Sequence, residues 1–423
     1  MVQTTSKQIL RTYVTLTLFS TFASSFIWGV NTLFLLDAGL SITQAFAANA
    51  FFTLGQVIFE VPTGVVADTI GRRFSYLLGS ATLLGSTLMY YLLWQIQGPF
   101  WAWAAVSMLL GLGFTFFSGA TEAWLVDGLH KTKFKGTLES AFAKGQIASG
   151  VAMLTGTVSG GVIAQFTNLG VPYILRIIML GLTFGAAFIL MHDIGFKPRK
   201  RVTVAQEMRS VFKSSLDHGL RNPPVRWVML AAPFTTGILF YGFYAMQPYL
   251  LELYGKSSSY AIAGLAAAIV AGTQIIGGML SPQLRKIAKR RTSILASVVV
   301  LSTVALFLMG IISNFWIVLV LLAAWASFLA ASIPVRQAYI NGLIPSEQRA
   351  TVLSSDNLLG SAGGVIIQPG LGKVADVHGY GASYVVAAGV QLLALPFVLL
   401  ARMQKAKSDP IAEKPNKSVA VPR

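Results

Sequence analysis

The sequence predicts an all-α membrane protein, with twelve transmembrane helices in two six-helix, pseudo-symmetric bundles. Three observations carry that prediction. The first is composition: 54% of the 423 residues are hydrophobic and 11% charged, with mean hydropathy +0.66, too apolar for a water-soluble globule. The second is the length of the apolar runs, which cluster near the roughly 20 residues a helix needs to cross a bilayer with its backbone polar groups paired internally. The third is an internal repeat. Shifting the chain by 214 residues aligns Gly64 with Gly278, the loop DGLHKTKFKGTLES from Asp127 with NGLIPSEQRATVLS from Asn341, Gly150 with Gly364 and Gly156 with Gly370. One register running through a loop and two helices marks duplicated halves.

Taken in order, the apolar runs place helices at 13–36, 43–67, 74–96, 100–129, 139–165, 171–191, 226–251, 260–282, 292–312, 315–343, 351–375 and 381–402. The first run is longer than a signal-peptide core and no clear small-residue cleavage pattern follows it, so it reads as a span. The tightest join is ISNFW around Asn314. Basic residues set the orientation. Lys7, Arg11, Arg72, Arg73, Lys131, Lys133, Lys135, the KPRKR cluster at 197–201, the basic group at 285–291, Arg349 and the tail from Arg402 fall on one side of the zigzag. The other side holds Lys256 and, near the end of span eleven, Lys373. The positive-inside bias therefore puts both termini on the cytoplasmic side of a cell membrane.

This divides the chain into an N-terminal bundle (1–191), a basic cytoplasmic linker (192–225), a C-terminal bundle (226–402) and a polar, proline-containing tail (403–423) expected to be disordered. In the linker Val204, Met208, Val211, Phe212 and Leu216 recur at helical spacing, the pattern of an amphipathic helix on a membrane surface. A solvated basic linker is the alternative.

The net charge of +17, from 32 basic and 15 acidic residues, is spread in short clusters between apolar runs and forms no stripe, which argues for topology signals and against a nucleic-acid partner. Cysteine is absent, which excludes disulfides and thiolate metal sites. No GxSxG, HExxH or P-loop pattern occurs, and His130, His192, His218 and His378 have no metal-ligand spacing. Neither an enzyme nor a metal or other cofactor is expected.

The stretch FEVPTGVVADTIGRRFSYLLG, residues 59–79, sets charges between two apolar ends. Its core strongly resembles the signature of the major facilitator superfamily between the second and third helices: Gly64, Asp68, Gly71, Arg72 and Arg73 match, and Thr69 stands where the family more often has a basic residue. Physically, Gly64 permits close helix approach, Asp68 ends the helix and Gly71 lets the short loop turn. The resemblance implies parallel repeats about an axis along the membrane normal, a central solute site, rocking of the halves and function as a monomer. It also implies a gate latch in which Asp68 and Arg72 reach the start of helix eleven and an acid at the end of helix four, here Asp127. Pro282 replaces the aspartate in the second half. In helix five, AMLTGTVSGG resembles the family's proton-antiporter motif through Gly156, Gly160 and Gly161, with Thr157 in place of proline. Ordinary small-residue packing is the alternative there, and the basic motif many antiporters carry in helix four is missing.

An ionisable side chain near the bilayer centre costs about 2.5 to 3.5 kcal/mol on insertion scales, so each needs a partner or a task. Glu60, Glu122, Lys144, Arg176, Arg336 and Asp356 fall inside predicted spans, and the repeat superposes Glu122 on Arg336 and Glu60 on Gln274. The expected pairs are Glu122 with Lys144 and Arg336 with Asp356, or Glu122 with Arg336 across the cavity. These form either static salt bridges or a proton-coupling set in which Glu122 exchanges a proton and Arg336 biases it. Glu60, two residues before Pro62, is the second proton-site candidate, or a buried carboxyl that shapes a kink. Arg176 is expected near the outer face, snorkelling or paired with Asp37. The cavity wall expected from helices one, four, seven and ten comprises Trp28, Asn31, Phe114, Trp124, Tyr241, Tyr244, Gln247 and Trp325, aromatics and amides suited to an amphiphilic organic solute.

Together with the resemblance, these residues point to a proton-coupled exporter, an antiporter of small hydrophobic, cationic or drug-like compounds. The alternative is an uptake symporter or facilitator for a small metabolite. The partners are the solute, protons and the lipid bilayer.

Overall fold

The computed structural model describes residues 5–198, 203–256, 258–345 and 348–411. The first crossing is a bent pair, α1 (Ser6–Trp28) and α2 (Asn31–Asp37), which meet at 49°. It begins at Ser6, before the apolar run, because Thr5 and Gln8 form a capping box that satisfies two otherwise unpaired N–H groups. Next come α3 (Ile42–Thr69), α4 (Arg72–Ile96), α5 (Phe100–Thr115) continued by α6 (Ala120–Lys131), α7 (Leu138–Phe166) and α8 (Gly170–Leu190). The linker carries α9 (Val204–Ser214) and a π-helical turn (Ser215–Leu220). The second half comprises α10 (Pro223–Tyr254), α11 (Tyr260–Ile287), α12 (Arg291–Ile311), α13 (Phe315–Asn341), α14 (Arg349–Leu392) and α15 (Ala394–Met403).

Among the described residues ten stretches are long and apolar enough to cross a bilayer, and the bent α1–α2 pair makes eleven. The last stretch, Thr351–Met403, holds 53 residues. As one helix it would run about 80 Å, far beyond a hydrocarbon core of about 30 Å. It breaks at Gly379, where φ of 82° and ψ of 165° leave the helical region at no steric cost to a residue without Cβ. The chain therefore crosses twice there, and the crossings number twelve, in two six-helix bundles.

Lipid-facing side chains such as Ile96, Phe166, Ile178 and Val320 stay exposed on the bundle surfaces. With lipid as apolar as leucine, helix association relies on close packing, and small residues supply it. A Cβ on Gly160 would lie 1.9 Å from the Phe26 carbonyl oxygen, and one on Gly363 2.3 Å from that of Pro233. Inside each bundle aromatic rings fill the core, with Phe34 stacked on Tyr173 at 3.7 Å in the first and Tyr249 against Tyr384 at 5.0 Å in the second.

The two bundles are sealed to one another on the face opposite the termini. Thr43 Oγ1 donates to Asp376 Oδ2 at 2.7 Å. Gln247 Nε2 donates to the Trp28 carbonyl at 3.0 Å, while its Oε1 accepts from the Thr32 N–H at 2.8 Å. Gly29 and Gly161 both press on Gly264, leaving no room for a Cβ on any of the three.

On the termini face α9 packs against α3 and α14 and leaves Val204, Met208 and Phe212 exposed, an uncovered apolar stripe of the kind that seats in a membrane interface. The tail departs from the expected disorder up to residue 411. Asp409 caps α12, its carboxylate accepting from the Thr292 N–H at 2.8 Å and the Thr292 hydroxyl at 3.0 Å, and Ser408 Oγ donates to the Tyr339 carbonyl at 2.7 Å. The α12 terminus needs this because its own N-cap residue, Arg290, has no acceptor side chain. The rest of the tail, 412–423, lies outside the described residues.

Candidate functional site

A cavity of about 380 Å³ lies at mid-depth between the bundles. It adjoins a second, of about 470 Å³, through the shared side chains of Gln56 and Phe114, and this second space leads toward the termini face between α3, the α5–α6 turn and α14. Local backbone breaks aim side chains into both. At Gly29 the close approach to Gly264 coincides with the end of α1, and the bend sets Trp28 and Asn31 on the cavity wall. Asn31 is held in place: its Nδ2 donates to Asn49 Oδ1 at 3.0 Å and its Oδ1 accepts from the Tyr173 hydroxyl at 2.9 Å. Between α5 and α6, Gly119 adopts a φ of 69°, and beside it Ser118 Oγ donates to Glu60 Oε1 at 2.8 Å.

Of the eight predicted wall residues, Trp28, Asn31, Phe114 and Tyr244 line the central cavity. The other four do not. Tyr241 and Trp325 are buried in the second bundle's core, Tyr241 bonded to Ser383 and Trp325 lying against Gly242. Trp124 packs in the first bundle, where its indole donates to the His192 carbonyl at 2.7 Å. Gln247, 0% exposed, belongs to the seal described above. All four lie on the expected helices, but Trp124, Tyr241 and Trp325 sit on faces turned away, since an aromatic at helical spacing serves packing as readily as a wall, while Gln247 shares the face of Phe243 and Tyr244 one turn beyond the cavity. The wall also includes Asn49, Gln56, Tyr90, Phe243 and Gln274, which sequence reading missed. Gln274 was the legible one, as the repeat partner of Glu60.

Arg176 is the largest correction. It is 3% exposed and lines the central cavity, away from Asp37, whose carboxylate instead accepts from the Trp94 indole at 2.8 Å. Arg176 Nε donates to Thr87 Oγ1 at 3.0 Å, and the guanidinium lies over the Phe114 ring, 5.8 Å from its centre. Its ionisable neighbours are the tyrosines Tyr90, Tyr173 and Tyr244, and among the described residues no carboxylate pairs with it. In the structure Tyr173, Arg176, Leu180, Thr183 and Ala187 form one buried helical stripe, so the arginine points inward. A buried charge without a counter-ion costs several kcal/mol.

The remaining charges sort into three groups. Arg336 and Asp356 form a two-pronged ion pair, with Arg336 Nη2 to Asp356 Oδ1 at 2.6 Å, and Nη2 also donates to the Val228 carbonyl at 3.1 Å. Asp356 is 2% exposed. That pairing leaves Arg336 unavailable to Glu122, and Glu122 does not pair with Lys144 either. Both are exposed and have no ion-pair partner among the described residues, because Lys144 and Glu122 reach the open side of their helices. Glu60 is half-buried in the second cavity, across from Ser354, Asn357 and Ser361 of α14.

At the termini end of α3, Arg72 pairs with Asp68 and its Nε stands 3.9 Å from Asp127 Oδ2, with the guanidinium 5.7 Å from the Phe196 ring centre. Gly71 has a φ of 144°, and a Cβ there would lie 2.5 Å from Asp193 Oδ2. That carboxylate accepts from the Arg73 N–H at 2.9 Å, capping a helix whose own N-cap is a glycine. Arg73 Nη2 donates to the Phe188 carbonyl at 2.7 Å. The network thus ties the first bundle to itself. Gly64 does not mediate close approach here, since a Cβ on it would meet open space. In α7, Gly156 and Gly160 pack on Ser25 and Phe26 of α1, and Gly161 joins the seal at Gly264.

A family model described as Major Facilitator Superfamily matches residues 13–312 and 282–422. No curated protein matches the chain. Similar solved structures include the nucleoside transporter NupG (12% identity, TM-score 0.74, 93% of this chain and 98% of that one) and the peptide transporter POT in complex with sulfate (12%, 0.74, 95% and 96%). A POT family transporter in complex with 5-aminolevulinic acid is also similar (12%, 0.72, 93% and 95%). At such identities the likeness concerns the fold. With the family model spanning both bundles and their twelve crossings in place, the chain belongs to the major facilitator superfamily and is a membrane transporter.

Proposed function

We propose that this transporter works by alternating access, coupled to protons through Glu60, and carries a small amphiphilic organic compound across the cell membrane with its termini face in the cytoplasm. One observation carries the reading. The path from the central cavity passes Glu60 on its way to the termini face, while the opposite face is sealed by the Thr43–Asp376 and Gln247–Trp28 contacts. Rocking the bundles would exchange which end is sealed. Among the described residues lining the two cavities, Glu60 is the one carboxyl, and neutralising it by protonation lowers the cost of closing the path around it. The Asp68–Arg72–Asp127 cluster is the latch that would engage α14 when the termini face closes.

Export by antiport requires solute and proton to exclude one another, as a cation and a proton would at Glu60. Uptake by symport requires each to favour the other. Arg176 supports the second: with no carboxylate among the described residues of the central cavity wall, a cationic solute has no counter-charge there. Proteoliposomes containing a pH dye and challenged with a panel of neutral, cationic and anionic amphiphiles test the coupling. Glu60→Gln is expected to keep solute exchange between the two sides while losing proton movement and pH-driven accumulation. Normal coupling in this variant would refute the assignment.

A further inference from the structure

Among the described residues the cavity wall holds one permanent charge, and most of its hydrogen-bonding capacity is unspent. Arg176 uses Nε on Thr87 and its face on Phe114, whereas its two Nη groups have no protein partner among the described residues. Arg336 shows what this protein does with a part-buried arginine that is structural: both Nη groups are filled, by Asp356 and the Val228 carbonyl. A second donor stands unused on the same wall, as Asn49 Nδ2 is buried without a partner while its Oδ1 is occupied by Asn31. Aromatic Trp28, Phe52, Phe240 and Phe243 share the rest of the wall with aliphatic side chains such as Ile27, Leu110 and Leu239.

We infer that the carried solute is a monoanionic amphiphile, an organic carboxylate with an apolar or aromatic body, whose carboxylate is clamped by the open fork of Arg176. The planar pair of Nη groups matches a carboxylate's two oxygens, a geometry an ammonium cannot offer. One guanidinium balances one negative charge, so a multiply charged phosphate is left uncompensated. The aromatic and aliphatic wall takes the body of the molecule, and about 380 Å³ falls within the range of small-molecule sites. The inference rests on the reading of this cavity as the solute site. It also fixes the sign of coupling: a proton on Glu60 removes a negative charge from the path and so favours the anion, which is the reciprocal linkage symport needs.

The test uses full-length protein and matched series of aryl and alkyl compounds bearing a carboxylate, its primary amide or an amine on the same body. Binding is followed by thermal shift and transport by counterflow in proteoliposomes. Carboxylates are expected to bind and move, with amides and amines at least tenfold weaker. Arg176→Gln should weaken carboxylates roughly ten- to hundredfold and abolish their preference over amides. Arg176→Lys should retain part of it, and Glu60→Gln should tighten carboxylate binding a few-fold. If Arg176→Gln fails to fold, the wild-type preference and the Glu60→Gln shift decide alone. Amines or amides moving as well as carboxylates would overturn the inference while leaving the transporter reading intact. Movement of none of the three classes would count against the cavity as a solute site.

Discussion

The two bundles each hold an arginine inside the membrane and treat it in opposite ways. In the second, Arg336 is locked to Asp356 and a backbone carbonyl. In the first, Arg176 is buried more deeply than Arg336 yet faces a cavity with its fork open. The difference extends to the repeat itself. Arg336 stands where the first bundle has Glu122, which is exposed and without an ion-pair partner among the described residues, and α13 runs unbroken where the first bundle divides into α5 and α6. Duplication preserved the backbone path and let the charges diverge. The first bundle carries the open charge, the half-buried acid and the loop network, while the second is neutralised internally and clasped by its tail.

The largest expected effect tests the closed pair. Asp356→Ala leaves the part-buried Arg336 without its counter-ion, which costs up to about 3 kcal/mol once its partial exposure is counted and should lower the unfolding temperature, whereas replacing both residues by apolar ones of similar size should recover most of that loss. Arg176→Met should behave in the opposite sense, leaving the ligand-free protein as stable or more so, because it removes a charge that has no counter-ion. A fall as large as that of Asp356→Ala would erase the distinction between the two arginines. Smaller again, Asp409→Ala should cost about 1 kcal/mol by uncapping α12. Glu122→Gln and Lys144→Gln sit at the bottom of the scale: their effects on stability should add within about 0.5 kcal/mol. Any larger coupling would restore the pair expected from sequence.

Much of the fold was legible. Apolar runs gave the crossings to within a few residues, because lipid allows so few ways to pair a backbone, and only α1 began well outside its run, where a capping box extends the helix beyond the apolar stretch. The site was harder. Trp124, Tyr241 and Trp325 lie on the expected helices, but which face a helix shows to a cavity depends on a few tens of degrees of rotation that composition does not encode, and Gln247 has the right face but lies one turn too far, in the seal. Arg176 was expected at the outer face, but both sides of its helix are apolar, and only packing shows that it shares the buried side with Tyr173 and Leu180. Asp409 was hidden in a polar tail, since capping is a pairing between distant segments and leaves no local pattern.

Alternation between two sealed states is the central claim, and the absence of native cysteine makes it directly measurable. Thr43 and Asp376, whose side chains touch across the bundles at 2.7 Å, can be replaced by cysteines and joined with a short bifunctional thiol reagent. The account predicts that cross-linked protein stops transporting and regains transport when the link is reversed. Full transport by quantitatively cross-linked protein would contradict it.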